Sequence, residues 1–262
     1  MMKIDIVVPH YNNPNLRKSL ASLRRNTPPE NIGKVILIDQ NVDSDDLIED
    51  GLVDIHVRVK PIGFCKASNM GIRLSDAPYV MVLNDDVEFL NKKWVEGIEE
   101  TFKRYSTAVG VNPSSPRNPG SPGGECVDEW EYKEDMTDEE YDKMVLTHGK
   151  GWIIDGICTY ATVFHRERLD RVKGVVPGKA WFDEYFYNGG EDYDLNRRAY
   201  MSGMRMLGTG LSYVWHWWYG SNDGKCNFSN KFNEKWGDGA DIMGTNGPQE
   251  VPENIVRETL EN

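Results

Sequence analysis

Tyr79-Val80-Met81-Val82-Leu83-Asn84-Asp85-Asp86-Val87 has the pattern of a buried strand that ends in two adjacent carboxylates. Its first five residues are all apolar, as in an inner strand of a parallel sheet that is covered on both faces. Open α/β sheets bind their ligands at the edge where such strands end. Carboxylate oxygens there suit Mg²⁺ or Mn²⁺, and such an ion suits a diphosphate. The alternative is that Asp85 and Asp86 only end the strand and solvate a turn.

Predicted strands and helices alternate through the first hundred residues. Strands are predicted over residues 4–8, 35–38, 55–59 and 79–83, and helices from residue 13, over 66–74 and over 91–105. We expect Pro9 to stop the first strand. This order predicts an α/β domain with a mostly parallel sheet, in a nucleotide-binding style of fold.

The pattern changes in the middle of the chain. Residues 112–124 contain four prolines and three glycines without periodicity, which predicts a loop or linker. Thr137 and Glu140 then have the spacing of a capping box, which predicts a helix from there to about His148. A long insertion of this kind is either a lid or recognition loop, or a surface excursion without a role.

The second half is ordered and rich in aromatic residues. Strands are predicted over residues 153–164 and 205–214, and helices over 166–172, 191–202 and, as the only element of the tail, 253–260. We therefore divide the chain into residues 1–110, an insertion at 111–150, a second half at 151–236 and a tail at 237–262.

Composition excludes some classes of function. The 262 residues include 30 Lys and Arg against 42 Asp and Glu, a net charge of −12. This charge argues against a broad nucleic-acid interface and against simple adhesion to anionic lipid. No apolar run approaches the roughly 20 residues that cross a bilayer. Because a strand is predicted from residue 4, we expect no signal peptide. Peripheral membrane contact and the oligomeric state stay open.

The cysteines predict no metal ribbon and no redox motif. The four are Cys65, Cys126, Cys158 and Cys226. They lie far apart and form no C-x-x-C pair, so reduced thiols in a cytoplasmic protein are the simplest interpretation.

Acidic residues cluster at three places where predicted elements end or begin. They are Asp39 after the second strand, Asp85 and Asp86 after the fourth, and Glu191 and Asp192 after Gly189-Gly190. Because parallel strands end at one edge of a sheet, we expect these side chains to converge on one crevice. The alternative for the last pair is that the acids only complement the dipole of the helix that they begin.

One histidine and several aromatic rings complete the candidate site. His216 lies among aromatic residues, where a histidine is usually a packed core residue. Beside an ion held by carboxylates, a neutral imidazole is instead a plausible further ligand. Aromatic rings also stack on sugar rings, although most of them pack in cores. The candidates for an acceptor platform are Trp152, Trp181 and Trp217.

Taken together, these motifs resemble the family 2 glycosyltransferases, which are inverting enzymes with the GT-A fold. The matching segments are residues 7–12, 38–45, 62–71, 83–87 and 182–195, with His216 and Ser221 after them. Residues 38–45 depart from the usual Asp-Asp-Gly-Ser form of the family. The Leu-Asn-x-Asp form at residues 83–86 is common among rhamnosyltransferase-like members.

The resemblance implies a role for each matching residue. The donor would be bound by Pro9, Tyr11, Asn12, Asp39, Lys66, Asn69, Asn84 and Asp85, with Asp39 accepting from the pyrimidine. Asp86 and His216 would bind Mn²⁺ or Mg²⁺. Asp192 would be the general base, and Glu191 would hydrogen-bond the acceptor. Asn84 stands where the family more commonly has Asp.

The resemblance also implies a fold and a reaction. It implies a Rossmann-like sheet flanked by helices, with a nucleotide-sugar-binding first half, an acceptor-binding and catalytic second half, and a long insertion loop or lid between them. The reaction would be metal-dependent, inverting transfer of a sugar from a UDP- or dTDP-linked donor to an acceptor hydroxyl, in glycan or polysaccharide synthesis.

Other functions stay open. One is a catalytically decayed carbohydrate-binding protein on the same fold. Another is a glycosyltransferase that acts on modified nucleic-acid bases, which the acidic charge disfavours. A sugar-phosphate nucleotidyltransferase would need a glycine-rich basic loop after the first strand, and residues 9–13 contain none.

Overall fold

The computed structural model describes residues 2–40, 46–115, 132–149, 153–155, 159–175, 180–217 and 228–237. The strands are β1 Ile4–His10, β2 Ile32–Asp39, β3 Ile55–Arg58, β4 Tyr79–Leu83, β5 Val87–Phe89, β6 Ala108–Ser114, β7 Ile153–Asp155, β8 Ala161–His165 and β9 Arg205–His216. The α-helices are α1 Leu16–Arg25, α2 Asp46–Glu49, α3 Phe64–Leu74, α4 Trp94–Arg104, α5 Asp138–Met144, α6 Arg166–Lys173, α7 Glu191–Met201 and α8 Phe228–Trp236. A 3₁₀ turn, Pro29–Asn31, precedes β2, and a π-helical turn, Val145–Gly149, follows α5.

The strands form a sheet in the order β3-β2-β1-β4-β8-β6-β9-β5, with β7 also paired to β9. β3, β2, β1 and β4 are mutually parallel, and β6 is parallel to β9. β8 is antiparallel to β4 and β6, and β5 and β7 are antiparallel to β9. Six of the nine described strands therefore run in one direction, which confirms the predicted α/β class with a mostly parallel sheet.

β4 is an inner strand with a core on each face. Successive side chains of a strand point to opposite faces. Accordingly, Val80 and Val82 pack in one buried cluster, with α3, α6 and α7, while Met81 and Leu83 pack in the other, with α1 and α4. An apolar run without polar alternation suits this double burial. The predicted coverage of this strand on both faces is confirmed.

Three predictions about elements are wrong. Pro9 does not stop β1, which continues to His10. Proline has no backbone N–H to donate, but none is needed towards β4, because the pairing of β1 with β4 ends at Val7. Residues 112–114 are the buried end of β6 and not a loop, and Pro113 lies where the register with β9 shifts. α8 was not predicted.

Other predictions about elements are confirmed. The Thr137 side chain accepts the Glu140 N–H, and Glu140 accepts the Thr137 N–H, so the capping box begins α5.

The predicted helix at residues 253–260 lies outside the described residues. The division of the chain after residue 110 stays a prediction, and β6 spans that position. No helix in the described part of the chain is both long and apolar enough to cross a membrane.

Candidate active site

The predicted site residues that end or follow strands lie along one edge of the sheet. β1, β2, β4 and β9 run in the same direction, so their C-terminal ends share this edge. β1 ends at His10, β2 at Asp39 and β9 at His216, and Asp85 follows β4. The polar residues that the sequence places after separate strands are therefore neighbours in space.

Asp86 and His216 are in contact at this edge. Both are buried, and His216 Nε2 lies 3.1 Å from Asp86 Oδ1. β5 pairs with β9 so that Val87 lies opposite His216, and the Trp217 N–H donates to the Asp86 carbonyl at 3.0 Å. The Tyr160 ring stacks on the imidazole, with centroids 4.7 Å apart. The two side chains are thus held by strand pairing and by ring packing.

Asp85 holds the loop after β1. Its carboxylate accepts from His10 Nδ1 at 2.7 Å, from Asn13 Nδ2 at 2.9 Å and from the Tyr11 N–H at 3.3 Å. Asn12, at the exposed turn of this loop, has a positive φ of 55°. Asp85 therefore shapes the loop that carries the predicted donor-binding residues. Our prediction that Asp85 contacts the donor itself stays a prediction.

A second loop is joined to the first. Asp39 is buried, and His56 Nε2 lies 3.1 Å from its Oδ2. The Gln40 N–H donates to the His10 carbonyl at 3.1 Å, and Gln40 Oε1 accepts the N–H groups of Ile62 and Gly63 at 3.0 and 2.9 Å. The loops after β1 and β2 and the start of α3 therefore form one hydrogen-bonded unit.

Gly63 lets α3 approach the segment that precedes α7. Its φ is 84°, and a Cβ there would lie 2.5 Å from the Tyr187 carbonyl oxygen. Next to it, the Phe64 N–H donates to that same oxygen at 2.9 Å. The position therefore requires glycine, both for its backbone conformation and for the close approach.

Asn69 makes a second connection between α3 and this segment. Its amide donates to the Phe182 carbonyl at 2.8 Å and accepts the Phe182 N–H at 3.0 Å. Because these bonds occupy the side chain, they give Asn69 a structural role beside the predicted one at the nucleotide. Lys66 and Asn84, the remaining predicted donor residues of this region, are exposed and half-buried, respectively.

The first turn of α7 carries the predicted general base. Gly189 and Gly190 have φ values of 86° and 94°, and Glu191 and Asp192 follow. α7 is joined to β9 by three residues and packs against it, so it runs back along the strand. Its N-terminus therefore lies towards the edge that carries His216. Asp192 is half-buried, and its Oδ1 accepts the Tyr193 N–H at 2.8 Å.

Glu191 is a buried acid. Burial, and then the charge of Asp192, raise its pKa to about 8, and backbone N–H groups partly oppose this shift. None of the groups that the structure describes forms a hydrogen bond with its Oε2. Burial, with smaller contributions from Glu191 and neighbouring acids, also raises the pKa of Cys65. Cys65, on the first turn of α3, is therefore within electrostatic reach of this turn of α7.

Of the predicted acceptor-binding tryptophans, the structure describes Trp181 and Trp217. Trp181 is buried; its indole N–H donates to Asp170 at 2.7 Å, and Lys173 Nζ lies 4.6 Å from its ring centroid. Trp152 lies outside the described residues. Acceptor binding at these residues stays a prediction.

Trp217 belongs to a cluster around Glu88 that the sequence did not reveal. The indole N–H of Trp217 and the hydroxyl of Tyr132 both donate to the buried Glu88 carboxylate. Lys18 Nζ lies 2.9 Å from Glu88 and within 5 Å of both ring centroids, at 4.6 and 4.8 Å. His10, Asn13, Gln40 and His56 were also missed. For His10 and Gln40, the signal that could have found them is their position at the ends of β1 and β2.

The Asp86 carboxylate oxygen suits a hard divalent cation such as Mn²⁺ or Mg²⁺, and the His216 imidazole nitrogen is a ligand typical of first-row transition metals. No group of three or more His, Cys, Asp or Glu side chains able to hold a metal occurs in the described ranges. With two protein ligands, the remaining positions would go to water and substrate phosphate, as is common for Mg²⁺ sites. The residues present therefore fit such an ion.

Most of the chain matches a known protein family. The family described as Glycosyl transferase family 2 matches residues 5–171. The chain belongs to this family. The match includes the loop after β1, Asp39, Asp85 and Asp86, and it ends before Glu191, Asp192 and His216. No curated protein matches the chain.

Solved structures agree on the architecture. The crystal structure of GalNAc-T7 with UDP, GalNAc and Mn²⁺ aligns with a TM-score of 0.59 and 13% identity, covering 82% of this chain and 43% of that one. That of S. aureus TarS 1-349 aligns with a TM-score of 0.54 and 14% identity, covering 82% and 60%. This chain is thus shorter than either. At these identities the likeness concerns the fold alone, and it confirms the predicted GT-A architecture.

Proposed function

We propose that this family 2 protein is a metal-dependent, inverting glycosyltransferase that uses a UDP- or dTDP-linked sugar. The observation that carries the proposal is the 3.1 Å contact between His216 Nε2 and Asp86 Oδ1 at the C-terminal edge of the sheet. Two predicted metal ligands, 130 residues apart, meet beside the loop that Asp85 holds. A decayed binding protein would have no need to keep this pair.

The donor side is formed by the two joined loops. Asp39 would accept a hydrogen bond from the pyrimidine, and Pro9, Tyr11 and Asn12 would line the base and ribose. Mn²⁺ or Mg²⁺ at Asp86 and His216 would neutralise charge on the leaving diphosphate. UDP is the first nucleotide to test, since the GalNAc-T7 structure contains UDP and Mn²⁺.

The acceptor side is the first turn of α7. A hydroxyl oxygen of the acceptor attacks the anomeric carbon and forms the new glycosidic bond. The bond from that carbon to the diphosphate oxygen breaks, and the electron pair leaves with the nucleoside diphosphate. The Asp192 carboxylate takes the hydroxyl proton. Because this is a single displacement from the opposite face, the configuration at the anomeric carbon inverts.

Glu191 supports this step as a neutral group. With a pKa of about 8 it keeps its proton at neutral pH, so it does not compete with Asp192 as a base. Its carboxyl group instead hydrogen-bonds the acceptor. A glycan or polysaccharide acceptor, a rhamnosyltransferase-like specificity and a cytoplasmic location remain predictions from the sequence.

A thermal-shift screen tests the proposal. UDP, dTDP and GDP are each added with and without Mn²⁺, and release of nucleoside diphosphate from a panel of UDP- and dTDP-sugars is then measured. A nucleotide at 100 times its Kd stabilises the fold by about 2.7 kcal/mol. We expect metal-dependent stabilisation by UDP or dTDP, which Asp86→Asn abolishes. Asp76→Asn, an exposed carboxylate before β4, is the matched control.

Two results would contradict parts of the proposal. No metal-dependent stabilisation by any nucleotide, together with no release of nucleoside diphosphate, would refute the transferase. Stabilisation by a nucleotide without hydrolysis or transfer on any acceptor would favour the decayed binding protein.

A further inference from the structure

We propose that Lys235, on α8, is a positioning residue that fixes the first turn of α7, where Glu191 and Asp192 lie. The inference rests on the proposed function for its catalytic consequence. Lys235 Nζ lies 2.7 Å from Asp183 Oδ2 and also donates to Asp194 Oδ1. A single ammonium group therefore joins α8 to α7 and to the segment that leads into α7.

The carboxylates that Lys235 joins are buried. Asp194 is 0% exposed and Asp183 is 2% exposed. Arg198 is also 0% exposed, and its Nε donates to Asp194 Oδ2 at 2.9 Å. Lys235 is therefore a cation partner of both acids, and Arg198 is a second partner of Asp194. Because buried charges depend on their partners, removal of Lys235 would take a direct cation partner from both acids and raise the free-energy cost of keeping them buried.

Asp194 belongs to the same helical turn as the predicted base. Its N–H donates to the Gly190 carbonyl at 3.1 Å, so the turn that starts after Gly190 includes Glu191 and Asp192. Trp236 adds an indole N–H to Asp194 Oδ1 at 2.9 Å. Asp194 thus receives donors from α7 itself and from two adjacent residues of α8. These contacts set the rotation of the turn about the helix axis.

Asp183 fixes the segment before α7. Its Oδ1 accepts the Tyr185 N–H at 3.1 Å, and its carbonyl accepts the Phe186 N–H at 3.0 Å. Lys235 Nζ also lies 5.6 Å from the Phe186 ring centroid. The segment is bonded in turn to Asn69 on α3. Lys235 therefore holds α7 against the half of the site that binds the donor.

Lys231, one turn earlier on α8, provides a matched control. Its Nζ donates to the Tyr185 carbonyl at 3.4 Å, a long hydrogen bond to a neutral group. Lys231→Met removes the same charge from the same helix without taking a cation partner from a buried carboxylate. Lys235→Met removes the charge that two buried acids share.

The test compares the full chain with its Lys235→Met, Lys231→Met and Asp183→Asn/Lys235→Met variants. For Lys235→Met we expect kcat for sugar transfer to fall about tenfold or more while the donor KM changes by less than about twofold. Hydrogen exchange should become faster in the peptide that spans residues 188–196 but not in β1 or β4. Lys231→Met should match the wild type. The double variant should recover at least about threefold of the lost kcat, because a neutral amide at position 183 needs no cation.

Several outcomes would overturn the inference. Wild-type kcat and exchange in Lys235→Met would do so, as would faster exchange over the whole chain, which would indicate general destabilisation. Absence of recovery in the double variant would refute the charge-pairing argument. If the wild type transfers no sugar, the proposed function fails, and exchange at residues 188–196 in Lys235→Met against Lys231→Met still decides whether Lys235 positions α7.

Discussion

The ring of Tyr160 lies almost flat against the imidazole of His216, with centroids 4.7 Å apart and planes 22° from parallel. The same tyrosine is fixed at both ends. Its carbonyl accepts the Asn84 N–H at 2.7 Å, and its hydroxyl donates to the Pro113 carbonyl. His216 is therefore oriented by a residue that touches the backbone next to Asp85 and Asp86.

This stacking predicts that Tyr160 affects metal affinity without binding the metal. Loss of a group that orients a ligand typically weakens metal binding about 10- to 100-fold. We expect Tyr160→Leu to raise the Mn²⁺ concentration needed for nucleotide-dependent stabilisation by at least about tenfold. Tyr160→Phe keeps the ring and should stay within about threefold of the wild type. Equal Mn²⁺ titrations for the two variants in thermal-shift measurements would show that the ring has no such role.

Asp192→Asn should separate chemistry from donor binding. Loss of a general base typically costs about 10² to 10⁴ in rate, whereas the proposed donor contacts lie on other loops. We expect kcat to fall by that factor, while UDP binding in the presence of Mn²⁺, measured by calorimetry, changes by less than about twofold. Glu167→Gln, an exposed acid on α6, is the control. A loss of donor affinity as large as the loss of turnover would tell against the assigned role.

Glu191 should make stability depend on pH. Its pKa rises from 4.5 in the unfolded chain to about 8 in the folded one. Between these two pKa values the folded chain keeps a proton on Glu191 that the unfolded chain has lost. The contribution of Glu191 to the free energy of unfolding is therefore highest below this pH range, and it falls as pH rises through the range. The slope is at most about 1.4 kcal/mol per pH unit. Glu191→Gln should flatten the dependence in urea unfolding across this range, and Glu167→Gln should not. Identical slopes for Glu191→Gln and the wild type would contradict the raised pKa.

Gly63→Ala should lower the free energy of unfolding by more than the backbone conformation at position 63 alone explains. Gly63 and Gly51 both have a positive φ, 84° and 69°. A Cβ at Gly63 would lie 2.5 Å from the Tyr187 carbonyl, whereas nothing lies within 4 Å of one at Gly51. Strain of this kind costs about 1–3 kcal/mol. We expect the destabilisation by Gly51→Ala to lie at the low end of this range. Gly63→Ala should destabilise the fold by an amount at or above the high end, and it should also lose transfer activity. Chemical denaturation measures both, and equal losses would show that the contact with Tyr187 can relax.

Local patterns predicted the parts of the fold that rest on local causes. The apolar run of β4 and the capping box of α5 were found because neighbouring residues determine them. β5 was missed because three residues are too few to show an alternation of polar and apolar side chains. It forms because it pairs with β9, which is distant in sequence. His10 and Glu88 were missed because their partners, Asp85 and Lys18, are distant in sequence. The family resemblance predicted roles for Asp86 and His216, but their contact is visible only in the folded structure.

Lys235 is synthesised after the other residues of the proposed site, which bears on the order in which the site forms during translation. Every strand of the first parallel group, β3-β2-β1-β4, has been synthesised by residue 83, and domains tend to form from the N-terminus as the chain emerges. Asp183 and Asp194, the two acids that Lys235 contacts, are synthesised before Lys235 itself. We therefore expect a nascent chain to form the loops that are proposed to bind the nucleotide first. The acceptor side would reach its final arrangement only after α8 has left the exit tunnel.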